Sequence, residues 1–104
     1  MRLDSVRRVF PSDAAVADAL GVSRAQPPRW RTGQTPDREN DHKLVALDAV
    51  VSLLTGYLEP EAIPDWLEGM NPFLNNRKPI SLLQKGRLAE VVAAIQAEQS
   101  EAYA

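Results

Sequence analysis

Apolar residues recur along this chain at intervals of three and four and never alternate with period two, so the pattern predicts helices and no strand. The first clear segment opens at Ser12, which can cap a helix with Asp13 in its first turn and Ala14, Val16, Ala17 and Leu20 as its apolar positions. Gly21 supplies a turn. Ser23 is placed to cap a second helix, anchored by Trp30 and closed by Gly33. From Thr32 to Asp41 the residues are mostly polar turn formers and predict a loop. Leu44, Leu47, Val51 and Leu54 then mark the longest helix, from about Asp41 to Thr55, with Val45, Ala49 and Val50 widening its stripe and Gly56 as its stop. That width predicts the central helix of the fold.

The second half is punctuated by proline. Pro60 and Pro64 make residues 57–63 a turn, and Pro64 fits the first position of a short helix that holds Trp66 and Leu67 and ends at Gly69. Asn71-Pro72 repeats the logic, with Asn as cap and Pro at the first helical position, while Asn75-Asn76 can take the left-handed backbone that stops a one-turn helix. Pro79 opens another short helix bearing Ile80, Leu82 and Leu83, closed by Gly86. The last helix runs from about Arg87, with Leu88, Val91, Val92 and Ile95 on one face and Glu90, Gln96 and Glu98 on the other. There are no internal repeats and no low-complexity tracts.

With 104 residues, the chain supports one compact domain or two very small ones, and its 44% apolar and 25% charged content argues for a folded protein. It has no cysteine, hence neither a disulfide framework nor a thiolate metal site. The longest apolar runs are far too short to span a membrane and the N-terminus lacks a signal peptide's hydrophobic stretch, so a cytoplasmic location is expected.

Charge divides along the chain. Residues 1–43 carry eight Arg/Lys against six Asp/Glu, and residues 44–104 carry four against eight. A total of −2 gives no overall attraction to nucleic acid, so any DNA contact must come from a local basic patch. Chemistry is equally sparse. His42 is the single histidine, the carboxylates stand singly, and the glycines are isolated at helix ends, so no catalytic set, metal site, phosphate loop or cofactor is expected.

Two motifs remain. With Gly21 as a turn glycine, Ala17 stands four residues before it, Leu20 and Val22 flank it, and Trp30 lies nine after it. Ala17 is small where two helices would cross, and Val16, Leu20, Val22 and Trp30 fill the wedge between them. The register resembles the N-terminal Xre-type helix-turn-helix domain of bacterial repressors. Pro27-Pro28 is a departure, because proline inside a helix costs about 3 kcal/mol. A start with Gln26 near the cap and Pro27 at the first position avoids this and leaves a recognition helix of little more than Pro27 to Thr32. On this reading Arg24, Gln26, Arg29 and Arg31 are the DNA-contacting candidates, with Arg7, Arg8 and Arg38 nearby. The alternative is a degenerate motif kept for packing or dimerisation.

The second motif is an ordered series: Trp66-Leu67, Asn71-Pro72, Leu74, Pro79, Leu82-Leu83, Gly86, Val91-Val92 and Ile95. It resembles the toxin-binding domain of the Xre/MbcA/ParS antitoxins, which follows a helix-turn-helix in that family. The resemblance implies an all-α fold with two parts, a helix-turn-helix region with the central helix over residues 1–56 and a toxin-binding domain with a C-terminal tail over residues 57–104. It implies a type II antitoxin that is not itself an enzyme. Its partner would be a RES-domain toxin, consuming NAD or transferring ADP-ribose, whose active site it covers. A homodimer or a larger assembly with the toxin would result, with operator DNA as a further partner.

By the same resemblance, Ala102, Tyr103 and Ala104 would plug the toxin's active site. Two positions depart from the family pattern: Asn75-Asn76 replace glycines at the tight turn, and Ser100-Glu101 stand where relatives have glycine, which favours continued helix. Trp66, Leu74, Leu82, Leu83, Val91 and Ile95 read as a core platform. The exposed polar residues around it, Asn75, Asn76, Arg77, Lys78, Lys85 and Arg87, are the candidate toxin contacts, with the tail. A stand-alone helix-turn-helix regulator and a small dimeric adaptor are the competing readings.

Overall fold

Leu3 and Val6, absent from the periodic pattern read above, are fully buried on a helix that the sequence did not announce. In the computed structural model, which describes residues 2–102, this helix is α1, Arg2–Arg7. It is followed by α2 (Asp13–Leu20), α3 (Gln26–Arg31), α4 (Arg38–Thr55), α5 (Ile63–Glu68), α6 (Pro79–Gln84) and α7 (Leu88–Ala102). Two single 3-10 turns, Pro60–Ala62 and Pro72–Leu74, precede α5 and α6. Among the described residues there is no strand, only one isolated bridge between Asn71 and Arg77.

Local chemistry sets most of the boundaries. The Ser12 hydroxyl accepts the Ala15 N–H at 3.1 Å to start α2, and Gly21 ends it at φ +74° while the Val22 N–H returns to the Ala17 carbonyl. Helix α3 begins at Gln26, one residue before the expected Pro27, and ends at Arg31. The consecutive prolines thereby fall at its second and third positions. Backbone N–H groups there have no partner within the helix, so neither proline sacrifices a hydrogen bond. Ser23 does not cap α3. It accepts instead from the Ala25 N–H.

Two further helix starts, those of α4 and α5, differ from the sequence reading, while α4 ends at Thr55 before Gly56 as expected. Helix α4 starts at Arg38 instead of Asp41, because Asp37 is its N-cap and accepts the Asn40 N–H at 2.8 Å. Its first turn holds Glu39 and Asp41, which favour the positive end of the helix dipole. Gly56 does not stop α4 by left-handed backbone, since its φ is −80°. The last turn tightens instead, with Tyr57 and Leu58 N–H groups both reaching the Leu54 carbonyl. Pro64 occupies the second position of α5, after Ile63.

Helix α4 is central, as its broad stripe predicts. It packs against α1, α2, α5, α6 and α7, with Leu47, Val50 and Leu54 fully buried. Buried residues from α1 through α7 form one continuous hydrophobic cluster. The segments before and after Gly56 therefore share a core, and α6 lies directly against α2.

Candidate functional site

The site is built around a buried amide. Asn71, 5% exposed, is the buried polar residue among those described. Its side-chain oxygen accepts the Phe73 N–H at 2.9 Å, and its carbonyl accepts from the N–H groups of Leu74 and Asn76. Its own N–H donates to the Arg77 carbonyl at 3.1 Å. Asn75 and Asn76 follow in the left-handed region, at φ 56° and 61°, a conformation that asparagine tolerates better than most residues. The chain therefore reverses between Asn71 and Arg77, Leu74 is driven into the core, and Asn75 and Asn76 are left exposed at the tip.

Arg77 is fastened behind this turn. Its Nε donates to the Leu74 carbonyl at 2.8 Å, and its guanidinium reaches Glu90 at 3.3 Å. Arg87 pairs with the other oxygen of Glu90. Two expected contact residues, ten apart in sequence, are thus brought together on one carboxylate. Lys78 is exposed at the start of α6 and Lys85 at its end, where Gly86 turns the chain at φ +77°. Ala102 does not join this group. It is exposed at the far end of α7, fourteen residues from Leu88 and so about 21 Å along the helix. The continuation of α7 through Ser100 and Glu101 follows the reading that these residues favour helix. Tyr103 and Ala104 lie outside the described residues.

Of the motif residues, Leu67, Leu74, Pro79, Leu83 and Val91 are buried and Pro72 and Gly86 are exposed. Trp66 is half-buried, and its indole N–H donates to Glu98 on α7 at 3.2 Å. Sequence reasoning missed four contributors. Phe73 and Met70 are large apolar side chains left exposed, at 39% and 75%, and Glu90 and Glu98 tie the turn and α5 to α7. The spacing of Arg87 and Glu90, three apart on one helical approach, was the available signal for the first of these pairs.

Two shallow grooves flank α6 and α7. One, about 390 Å³, lies between the turn and α7 and is lined by Phe73, Leu74, Arg77, Glu90, Ala93 and Ala97 among others. The other, about 550 Å³, is lined by Glu39, His42, Lys43 and Val45 of α4 and by Lys85 and Leu88.

The DNA-contacting candidates are less available than their sequence positions suggest. Arg24 holds both oxygens of Asp18, at 2.9 and 3.1 Å. Arg31 makes a two-pronged contact with Asp13, at 2.9 and 3.0 Å, and a third bond to Asp4 at 2.9 Å. Hydrogen bonds from Arg31, then its charge and a bond from Arg7, hold the Asp13 carboxyl below its ordinary range, and the same bonds raise the Arg31 guanidinium. Gln26 is half-buried. Arg29 is exposed and makes no ion pair among the described residues.

Among the described residues no cluster of His, Cys, Asp or Glu is placed to hold a metal ion, and no helix is long and apolar enough to cross a membrane.

No protein-family model matches the chain. Individual proteins do. It is 30% identical over 101 residues to the protein named "Probable mycobacterial cidal antitoxin Rv3188" of Mycobacterium tuberculosis, a match covering 97% of this chain and 87% of that one. It is 32% identical over 94 residues to the mycobacterial cidal antitoxin MbcA of Mycobacterium bovis, covering 89% and 83% of the two chains. Among solved structures, a chain of the M. tuberculosis MbcT–MbcA toxin-antitoxin complex superposes with a TM-score of 0.78 at 26% identity, over 92% of this chain and 88% of that one. With this likeness running through both the sequence and the fold, over about nine-tenths of the chain or more, the chain belongs to the family of MbcA-type antitoxins.

Proposed function

We propose that this chain is the antitoxin of a type II toxin-antitoxin pair and neutralises its toxin by direct binding. The observation that carries the reading is the match to named cidal antitoxins across nearly the whole chain, together with the fold shared with a chain of a toxin-antitoxin complex. The role is that of a stoichiometric inhibitor, with no catalysis of its own. The motif from Trp66 to Val91 supports a RES-type toxin as the target, engaged through the turn at Asn75-Asn76, the cations Arg77, Lys78, Lys85 and Arg87, and the C-terminal tail. Ala102 to Ala104 reach the toxin's active site in this reading. Support comes from the exposure of Lys78, Lys85 and Arg87, the partial exposure of Arg77, and the apolar groove that Arg77 lines.

Co-expression with the product of the neighbouring gene provides the test. Growth should be rescued and the two proteins should co-purify. A harmless or non-binding neighbour would refute the reading. Removing Ala102 to Ala104 should leave the thermal transition unchanged and abolish rescue, while full rescue by the truncated chain would confine neutralisation to the helical surface.

A further inference from the structure

All four cations of residues 44–104 fall within the eleven residues from Arg77 to Arg87, a stretch without a single carboxylate. The eight acids of the same half lie outside that stretch, and among the described residues Glu90 is the one that pairs with cations of it. This half therefore has a cationic pole within an otherwise anionic body. Its Arg77 end sits on the groove between the turn and α7: Arg77 and Glu90 line that groove, Arg87 is tied to the same Glu90, and Lys78 follows Arg77 in the chain, whereas Lys85 lines the other groove, against α4. The groove itself is mostly apolar, lined by Phe73, 39% exposed, by the exposed Ala93 and by the buried Leu74 and Ala94.

We propose that this groove seats an acidic segment of the toxin that also inserts one large apolar side chain between Phe73 and Ala93. The inference rests on the antitoxin reading and adds the chemistry of the partner surface. Two features favour protein over nucleic acid. Binding along a phosphate backbone needs an extended row of free cations, whereas here Arg77 and Arg87 share one carboxylate, Lys85 lines the other groove, and the chain has a net charge of −2. A charged rim around an apolar centre is the arrangement of protein interfaces, in which charge speeds encounter and the apolar anchor slows dissociation.

The full-length chain and its toxin are followed by surface-based or stopped-flow kinetics over a range of salt. Lys78→Glu and Arg87→Glu should each slow association about tenfold at low salt, with the variants converging on wild type near 0.5 M salt, where charge is screened. Arg38→Glu, an exposed cation at the start of α4, serves as the control and should change association far less. Ala93→Phe fills the groove from an exposed position and should speed dissociation at least tenfold without altering the thermal transition. Salt-independent association, unchanged rates in the Lys78 and Arg87 variants, or unchanged dissociation of Ala93→Phe would overturn the proposal while leaving the antitoxin reading intact. Loss of duplex DNA binding with unaltered toxin binding would overturn it in favour of nucleic acid. Absence of toxin binding by the wild-type chain would remove both.

Discussion

The side-chain amide of Gln84 donates to the backbone carbonyl of Ala19 at 2.8 Å, joining α6 to the last turn of α2 across 65 residues. The same side chain stands 3.3 Å from where a Cβ on Gly21 would lie, so a side chain at position 21 would crowd Gln84 as well as strain the left-handed backbone at φ +74°. This contact, with the shared hydrophobic cluster, makes the two halves of the chain one mechanical unit.

Gln84→Ala should cost about 1 kcal/mol, the usual net value of a hydrogen bond, and lower the thermal midpoint by roughly 4–8 °C in a domain this size. Gly21→Ala should cost more, about 1–2 kcal/mol for left-handed backbone with the crowding against Gln84 added. In the double variant the crowding disappears and the backbone strain stays, so the combined loss should be smaller than the sum of the two. Strict additivity in thermal or urea unfolding would show that the two positions do not touch.

The turn at Asn71 makes a second prediction. Asn71→Ala removes the acceptor for the Phe73 N–H in a buried place and should cost about 1–3 kcal/mol. Asn75→Gly should be neutral or slightly stabilising, because glycine adopts φ 56° without strain, whereas Asn75→Val should lose about 1–2 kcal/mol. Urea midpoints of the three variants check this order.

The Asp13–Arg31 pair makes stability depend on pH. Since the folded state holds the Asp13 carboxyl below its unfolded value of about 4, its contribution is fully present above that value and is lost as pH falls through the folded one. Arg31→Ala should therefore lower stability by about 0.2–1 kcal/mol at neutral pH, as expected for partly exposed ion pairs. The gap between variant and wild type should narrow as pH falls below the unfolded value and on through the lower folded one. A gap that stays constant throughout the acid range would mean that Arg31 acts through packing alone.

Arg29 is the arginine of α3 left without an ion pair among the described residues, and this separates it from Arg31. Any affinity for duplex DNA, read in a mobility-shift titration of the upstream region, should fall with Arg29→Ala and become less steeply dependent on salt. Arg24→Ala should have less effect, since Asp18 already neutralises that side chain. Equal losses at both positions would mean that the Arg24–Asp18 pair opens on DNA.

Much of the fold was legible because short-range chemistry decides it. Ser12, Asn71-Pro72, Asn75-Asn76, Pro79 and Gly86 each perform the capping or turning role their types suggest. Helix α1 was not legible, since Leu3 and Val6 are too few to show a period and the helix draws its stability from α4. The start of α4 was hidden by a first turn with no apolar residue. The arginines of the site were the least legible. Whether Arg24, Arg31, Arg77 and Arg87 are free to meet a partner or already ion-paired depends on Asp4, Asp13, Asp18 and Glu90, and for Arg31 and Arg77 those acids come from distant parts of the chain.

Helix α7 runs without interruption from Leu88 to Ala102. An α-helix is a ruler, so the span between the Arg87–Glu90 end and Ala102 is set at about 21 Å, and a toxin touched at both ends must offer two matching points at that separation. Lengthening the ruler by four residues would move Ala102 outward by about 6 Å and swing it by about 40° around the axis. Register along α7 thereby becomes a criterion for telling a cognate toxin from a related one.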